Sequence, residues 1–212
     1  MRFKQQHNPF SPQFGGMENQ GNVREGDIFD RPKWEDRLGR PAGLKGAVQD
    51  LDVHRTLKRF KEGAYISYEE AFAFIKKAYP LNPYDPAKPF ARELRLKVGE
   101  RLGLTREEEL HRLKLYSTIG SPLDRIHGVD ALIIYDDPEM GEIIVTIDET
   151  ENPKKFDEDD GKQKVDILMH GIAADPKEET KFNVSVSEWA KVVADVLSNK
   201  IRDEEKSGRR LH

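Results

Sequence analysis

The chain has 212 residues, no cysteine, 36% apolar and 35% charged residues, and a formal charge of −4 from 35 basic and 39 acidic side chains. Charged residues above the usual ~25% and apolar ones below ~45–50% leave a limited core, enough for one domain with an appendage or two small domains. The composition excludes a uniformly basic, histone-like protein, disulfides, thiolate nucleophiles and Cys-ligated zinc. No run of about 18 apolar residues is present to cross a bilayer, and the start, MRFKQQHNPFSPQF, lacks the apolar stretch of a secretory signal. A soluble, intracellular, cytoplasmic protein is the expectation.

Residues 1–43 hold ten of the chain's 28 Gly and Pro residues in one fifth of its length. Such a segment buries too little apolar surface to offset its ordering entropy. Phe3, Phe10, Phe14, Phe29 and Trp34 are the exceptions. They read as anchors for a protein partner or for the chain's own body, against a plainer reading as a mobile tail.

Helical spacing begins at Leu44, Ala47, Val48 and Leu51, extends through Leu57 and Phe60, and ends at Gly63. Ser67 with Glu70 forms a capping box, followed by an apolar stripe of Ala71, Phe74, Ile75 and Ala78. Pro80, Pro83, Pro86 and Pro89 form a stiff connector. A third helix is expected from Phe90 to Leu102. Thr105 with Glu108 caps a fourth, expected to run to about Ser117.

The period then changes. GVDALIIYDD and GEIIVTIDET alternate as strands around a turn, and KVDILMHGI is a third strand. A final helix is expected from Ser185, capped with Glu188, to about Asp203. Its apolar face carries Trp189, Val192, Val193, Val196 and Leu197. The fold class expected is α/β (α+β), with a helical first half and a small mixed sheet flanked by helices.

An acidic side chain stands at one end of each strand of the hairpin. Asp130 shares a face with Leu132 and Ile134, and Asp148 shares one with Ile144 and Thr146. Two carboxylates brought side by side repel unless a cation or proton sits between them, and a hard divalent ion such as Mg²⁺ answers that need. Lys154 and Lys155 follow closely, where an ammonium would orient a water or stabilise developing phosphate charge. The plainer readings are a turn cap for Asp130, a strand end for Asp148 and a solvated loop for the lysines.

HGVDALI, IIVTIDETENPKK and KVDILMHG together resemble the PD-(D/E)XK, or restriction-endonuclease-like, nuclease superfamily. The resemblance covers about residues 105–200. It implies a mixed sheet with an antiparallel hairpin at its start and helices on its faces. It also implies Asp130 as the first acid and Asp148 as the second. The lysine usually two positions after the second acid is replaced by Thr150. Members with a similar D-x-T form take the lysine from further on, which implies Lys154 or Lys155, with Lys164 a weaker substitute. Asp130, Asp148 and the backbone carbonyl of Glu149 would then hold Mg²⁺ (or Mn²⁺) for hydrolysis of phosphodiesters, in DNA rather than RNA. Glu107, Glu108, Glu109 and Asp124 are further acids ahead of the first strand. The alternative is a non-catalytic nucleic-acid-binding or assembly protein on the same core.

A phosphate backbone needs cations. Eight basic residues against five acids lie between Lys88 and Lys114. Arg92, Arg95, Arg101, Arg112 and Lys114 from this stretch, with Arg125, are the expected nucleic-acid contacts; their plainer reading is a solvated helix face. Five acids within 151–161 read as a solvated loop. His127 and His170 make a weak zinc pair. Four segments are expected: an extended tail, flexible or partner-docked, over 1–43; a helical region over 44–90; the nuclease-like core over 91–205; and a frayed end over 206–212.

Overall fold

A computed structural model of the chain describes residues 25–34, 51–150 and 165–208. Among them are seven helices and a four-stranded sheet of order β1-β2-β3-β4. The strands are β1 (Leu113–Ser117), β2 (Ala131–Asp137), β3 (Gly141–Glu149) and β4 (Ile167–Met169). The first three pair antiparallel, and β4 runs parallel to β3.

Alternation along the strands loads both faces with apolar side chains. Leu113, Leu115, Ala131, Ile133, Ile143, Val145 and Ile147 face one core. That core is completed by α1 (Glu25–Ile28), α4 (Pro89–Arg101) and α7 (Glu179–Ser207), with Trp189 fully buried. Tyr116, Leu132 and Ile134 face the other, beneath α2 (Leu51–Lys61), α3 (Tyr68–Ala78) and α6 (Pro122–His127). A sheet apolar on both faces requires cover on both, and the helices supply it. No described helix is long and apolar enough to cross a membrane.

The local signals explain most element starts. Ser67 Oγ accepts the Glu70 N–H at 3.2 Å and opens α3. The reciprocal half of the expected box is missing, because the Glu70 carboxylate is held by Thr56 (2.9 Å) and Arg59 (2.7 Å) from α2. Pro89 begins α4, where its missing N–H costs nothing.

Three expectations are corrected. The fourth helix is a single turn, α5 (Glu107–Leu110), with the Arg106 N–H donating to Glu109 at 3.2 Å rather than a box on Thr105 and Glu108. Residues 113–117 then form β1, since Leu113 and Leu115 alternate into the core and the segment pairs with β2. A short helix, α6, lies between β1 and β2, with Ser121 as N-cap and Pro122 at its first position. Finally, α7 starts at Glu179, and Ser185 is a buried interior residue whose Oγ accepts the Ala173 N–H at 3.2 Å.

Part of the expected tail belongs to the body. Ile28 and Phe29 are fully buried, and Trp34 is 3% exposed with its Nε1 donating to the Ile119 carbonyl at 2.9 Å. Phe29 and Trp34 therefore anchor on the chain itself. Phe3, Phe10, Phe14 and the expected helix start at 44–50 lie outside the described residues.

Candidate active site at the head of the hairpin

The segment between β1 and β2 delivers Asp130. Ser121 caps α6 through the Leu123 and Asp124 N–H groups, and Gly128 ends it at φ 65°, a left-handed conformation suited to glycine. Thr118 donates its N–H to the Asp130 carbonyl at 2.8 Å and its hydroxyl to the Val129 carbonyl. The backbone around Asp130 is thus fixed from the β1 side.

From the β3 side it is fixed again. The ladder pairs Ala131 with Ile147, so one further step sets Asp130 across from Asp148. The Asp130 N–H donates to the Ile147 carbonyl at 2.8 Å, and its Oδ2 accepts the Glu149 N–H at 2.7 Å. Asp130 is therefore bonded to both neighbours of Asp148. The two acids are 4% and 7% exposed, and Thr150, beyond the end of β3, is 8% exposed. Burial of two carboxylates at one sheet end is costly without hydrogen bonds or a counter-charge.

Asp166 repeats the device on the opposite edge of β3. Val165-Asp166 precedes β4 as Val129-Asp130 precedes β2. Thr146 donates its N–H (2.8 Å) and hydroxyl (2.9 Å) to Asp166 Oδ2, and the Asp166 N–H returns to Thr146 Oγ1 at 2.8 Å. Lys200 of α7 reaches over the same edge, with its Nζ 2.7 Å from Asp166 Oδ1 and donating to the Ile144 carbonyl at 2.7 Å. Side chains thereby satisfy backbone groups of β3 ahead of its pairing with β4, which begins at Ile147. Neither Asp166 nor Lys200 was singled out from the sequence. The shared pattern of HGVDALI and KVDILM was the available signal for Asp166; Lys200, on a distant helix, had none.

An open cleft of about 340 Å³ lies beside this network, walled by Tyr68 and Phe72 of α3. Thr146 and Asp148 share a face of β3, so the cleft and the acid pair occupy the same side of the sheet. Burial, then the Asp166 and Glu69 charges, push the Tyr68 phenol above its ordinary pKa.

The other expected site residues are dispersed. Lys154, Lys155 and Lys164 lie outside the described residues, as does the acidic stretch at 151–161. Arg95 is 4% exposed, and its Nε and Nη2 each donate at 2.7 Å to the carbonyls of Leu113 and Leu110. Burial lowers its pKa, and it joins α4 to β1 rather than presenting a cation to solvent. Arg92 pairs with Asp85 at 2.9 Å, and Arg101 donates to the Ser187 carbonyl at 3.3 Å. Both belong to α4, on the sheet face opposite Asp148. Lys114 is paired with Asp136 at 2.6 Å, and the Arg112 carbonyl accepts the Asp136 N–H at 2.9 Å. That end of β2 lies about 20 Å from Asp130 at ~3.3 Å per residue. Arg125 of α6, 71% exposed in its side chain, is the expected cation nearest in the chain to the acid pair.

The further acids have local roles. Asp124 accepts the Gly120 N–H at 2.6 Å. Glu107, Glu108 and Glu109 belong to α5, which leads into the far end of β1, and hydrogen bonds from Arg106 hold the Glu109 carboxyl down at about 2. His127 bonds the Ile66 carbonyl at 3.0 Å between Tyr65 and Tyr68, whereas His170 packs edge-on to Trp189 at 6.1 Å. The histidines thus join different cores. Among the described residues, no group of three or more His, Asp or Glu side chains is placed to hold a metal.

No protein-family model, curated protein or solved structure matches the chain.

Proposed function

We propose that this protein is a metal-dependent phosphodiesterase acting on DNA, with its site at the head of the β2–β3 hairpin. The observation that carries the reading is the attachment of Asp130 to both neighbours of Asp148, through Ile147 and Glu149. Its support is twofold. The motif residues that resemble the PD-(D/E)XK superfamily fall at the ends of two paired strands. The sheet is mixed, begins with antiparallel pairing and is covered by helices on both faces, and these features support the reading.

The donor chemistry suits Mg²⁺ or Mn²⁺: the carboxylates of Asp130 and Asp148 and the carbonyl of Glu149 are hard oxygen ligands. A bound ion supplies a water of lowered pKa and neutralises charge on the scissile phosphate. Asp130 fixes the backbone on either side of Asp148, and the bond it receives from Glu149 orients that peptide. Lys154 or Lys155 is proposed to hold the attacking water, and Arg125 to contact the phosphate backbone. Arg95, buried on carbonyls, is not part of the proposal.

The test is cleavage of plasmid and linear DNA with Mg²⁺ or Mn²⁺, using the wild-type chain beside Asp148→Asn and the double variant Lys154→Gln/Lys155→Gln. Metal-dependent cleavage lost in Asp148→Asn is expected. Cleavage that persists in Asp148→Asn would remove the site.

A second reading is favoured by the Asp130–Glu149 bond, which gives Asp130 a structural task without chemistry, and by Thr150 in place of the usual lysine. In it the same core binds nucleic acid or assembles with a partner and does not cut. No cleavage under either metal, with salt-sensitive DNA binding retained, would select that reading.

A further inference from the structure

We infer that the cleft between α3 and β3 receives an unpaired nucleobase, which makes single-stranded nucleic acid the substrate class of the proposed site. The inference rests on the phosphodiesterase reading for its catalytic meaning, but its binding claim stands on separate residues.

Four rings lie in series on this side of the molecule, Tyr65 exposed, Tyr68 and Phe72 half-buried, and His127 buried between them. Tyr65 is 69% exposed and lies 6.0 Å, edge-on, from His127, which lies 5.5 Å from Tyr68. Tyr68 continues to Phe72 with ring planes only 11° apart and centroids at 6.5 Å. Phe72 in turn carries the Lys76 ammonium 5.8 Å from its ring centre. Tyr68, Phe72 and Lys76 recur at four-residue steps along one face of α3, and Tyr65 stands just ahead of its N-cap, Ser67.

Members of the series lie close, in the chain or in space, to the strands that carry the acid pair. His127 stands three residues before Asp130. Phe72 and Tyr68 wall a cleft to which Thr146, two residues before Asp148, also contributes. Two residues of strand span about 6.6 Å, a distance on the scale of one nucleotide. The cleft at Thr146 and the acid at Asp148 are thus about one nucleotide apart along β3.

The cleft has the chemistry of a base site. Its volume of about 340 Å³ falls within the range of small-molecule pockets. Tyr68 and Phe72 line one wall, with Ile144 and Val165 adding apolar surface. The opposite side holds a carboxylate (Asp166), a hydroxyl (Thr146) and an ammonium (Lys200), all fixed in place by mutual hydrogen bonds. Among the described residues, the Lys200 ammonium contacts Asp166 and the Ile144 carbonyl. Aromatic and aliphatic side chains beside a carboxylate, a hydroxyl and an ammonium suit a planar heterocycle bearing edge donors and acceptors. A base within a duplex has its faces covered by its neighbours, so such a cleft selects unpaired bases.

The test uses the full chain and fluorescence anisotropy, with a labelled single-stranded DNA oligonucleotide and its duplex, in chelator so that binding alone is read. Tyr65→Ala is the variant at an exposed position, and Phe72→Leu keeps apolar volume while removing a ring face. Single-stranded DNA is expected to bind at least tenfold tighter than duplex. Each variant should weaken the single-stranded complex by roughly 5- to 100-fold and leave duplex binding unchanged. Equal affinity for the two forms, or wild-type single-strand binding in both variants, would overturn the inference. The two proposals fail separately. Ring-dependent single-strand binding without cleavage leaves the base cleft standing and removes the catalytic reading. Asp148-dependent cleavage indifferent to strandedness and to Phe72 does the reverse.

Discussion

The Oδ2 atom of Asp130 accepts the backbone N–H of Glu149 at 2.7 Å, in a setting where Asp130 is only 4% exposed. A buried amide that loses its acceptor costs roughly 1–3 kcal/mol. Asp130→Ala is therefore expected to destabilise the fold by about that amount, read as a lower urea midpoint at unchanged slope. Asp130→Asn retains an acceptor oxygen and should keep most of the stability while abolishing metal-dependent cleavage. If both variants lost stability equally, the Glu149 bond would not be the reason.

Arg95 and Arg125 separate two meanings of a positive charge. Arg95→Met leaves the Leu113 and Leu110 carbonyls without their donor, at a cost of about 2–4 kcal/mol. At a temperature where it remains folded, its DNA affinity and salt slope should equal those of the wild type. Arg125→Gln should leave the unfolding midpoint unchanged and reduce the salt slope of DNA binding by about one. Anisotropy titrations at several NaCl concentrations check both. A reduced slope in Arg95→Met alone would reverse the assignment.

Trp34 ties the segment at 25–34 to the loop that leads toward Asp130, through the Ile119 carbonyl and through ring contacts with Phe74 (5.4 Å) and Tyr79 (6.0 Å). Trp34→Ala is expected to cost about 3–5 kcal/mol, as large-to-small changes in packed cores do. Thermal unfolding followed by circular dichroism measures it. A change below about 1 kcal/mol would mean that the segment is dispensable to the body.

His170 gives the stability a pH dependence. Burial lowers its pKa below the ordinary 6.5. At pH values between the lowered and the ordinary pKa, the unfolded chain binds more protons than the folded one, so stability rises with pH there. The contribution is complete above about pH 6.5 and declines as pH falls beneath it. His170→Gln should flatten the stability profile between pH 7 and the onset of carboxylate titration. An unaltered profile would show that His170 does not carry it.

The sequence alone determined the elements whose signals are local. Ser67 opens a helix, and the alternation of Leu132 to Ile134 and Ile143 to Ile147 makes a hairpin, because capping and side-chain direction depend on residues within a few positions. The same alternation set Asp130 and Asp148 on one face. What only the tertiary structure decided is where β1 and Arg95 go and which side chains complete the β3 edge. LKLYS following EEEL continues a helix as plausibly as it starts a strand; only the free edge of β2 makes it β1. Arg95 looks like a surface cation until α4 packs on that strand and the Leu113 and Leu110 carbonyls require a donor. Lys200 lies 34 residues beyond Asp166 in the chain, and only the docking of α7 against the sheet brings the ammonium to that carboxylate.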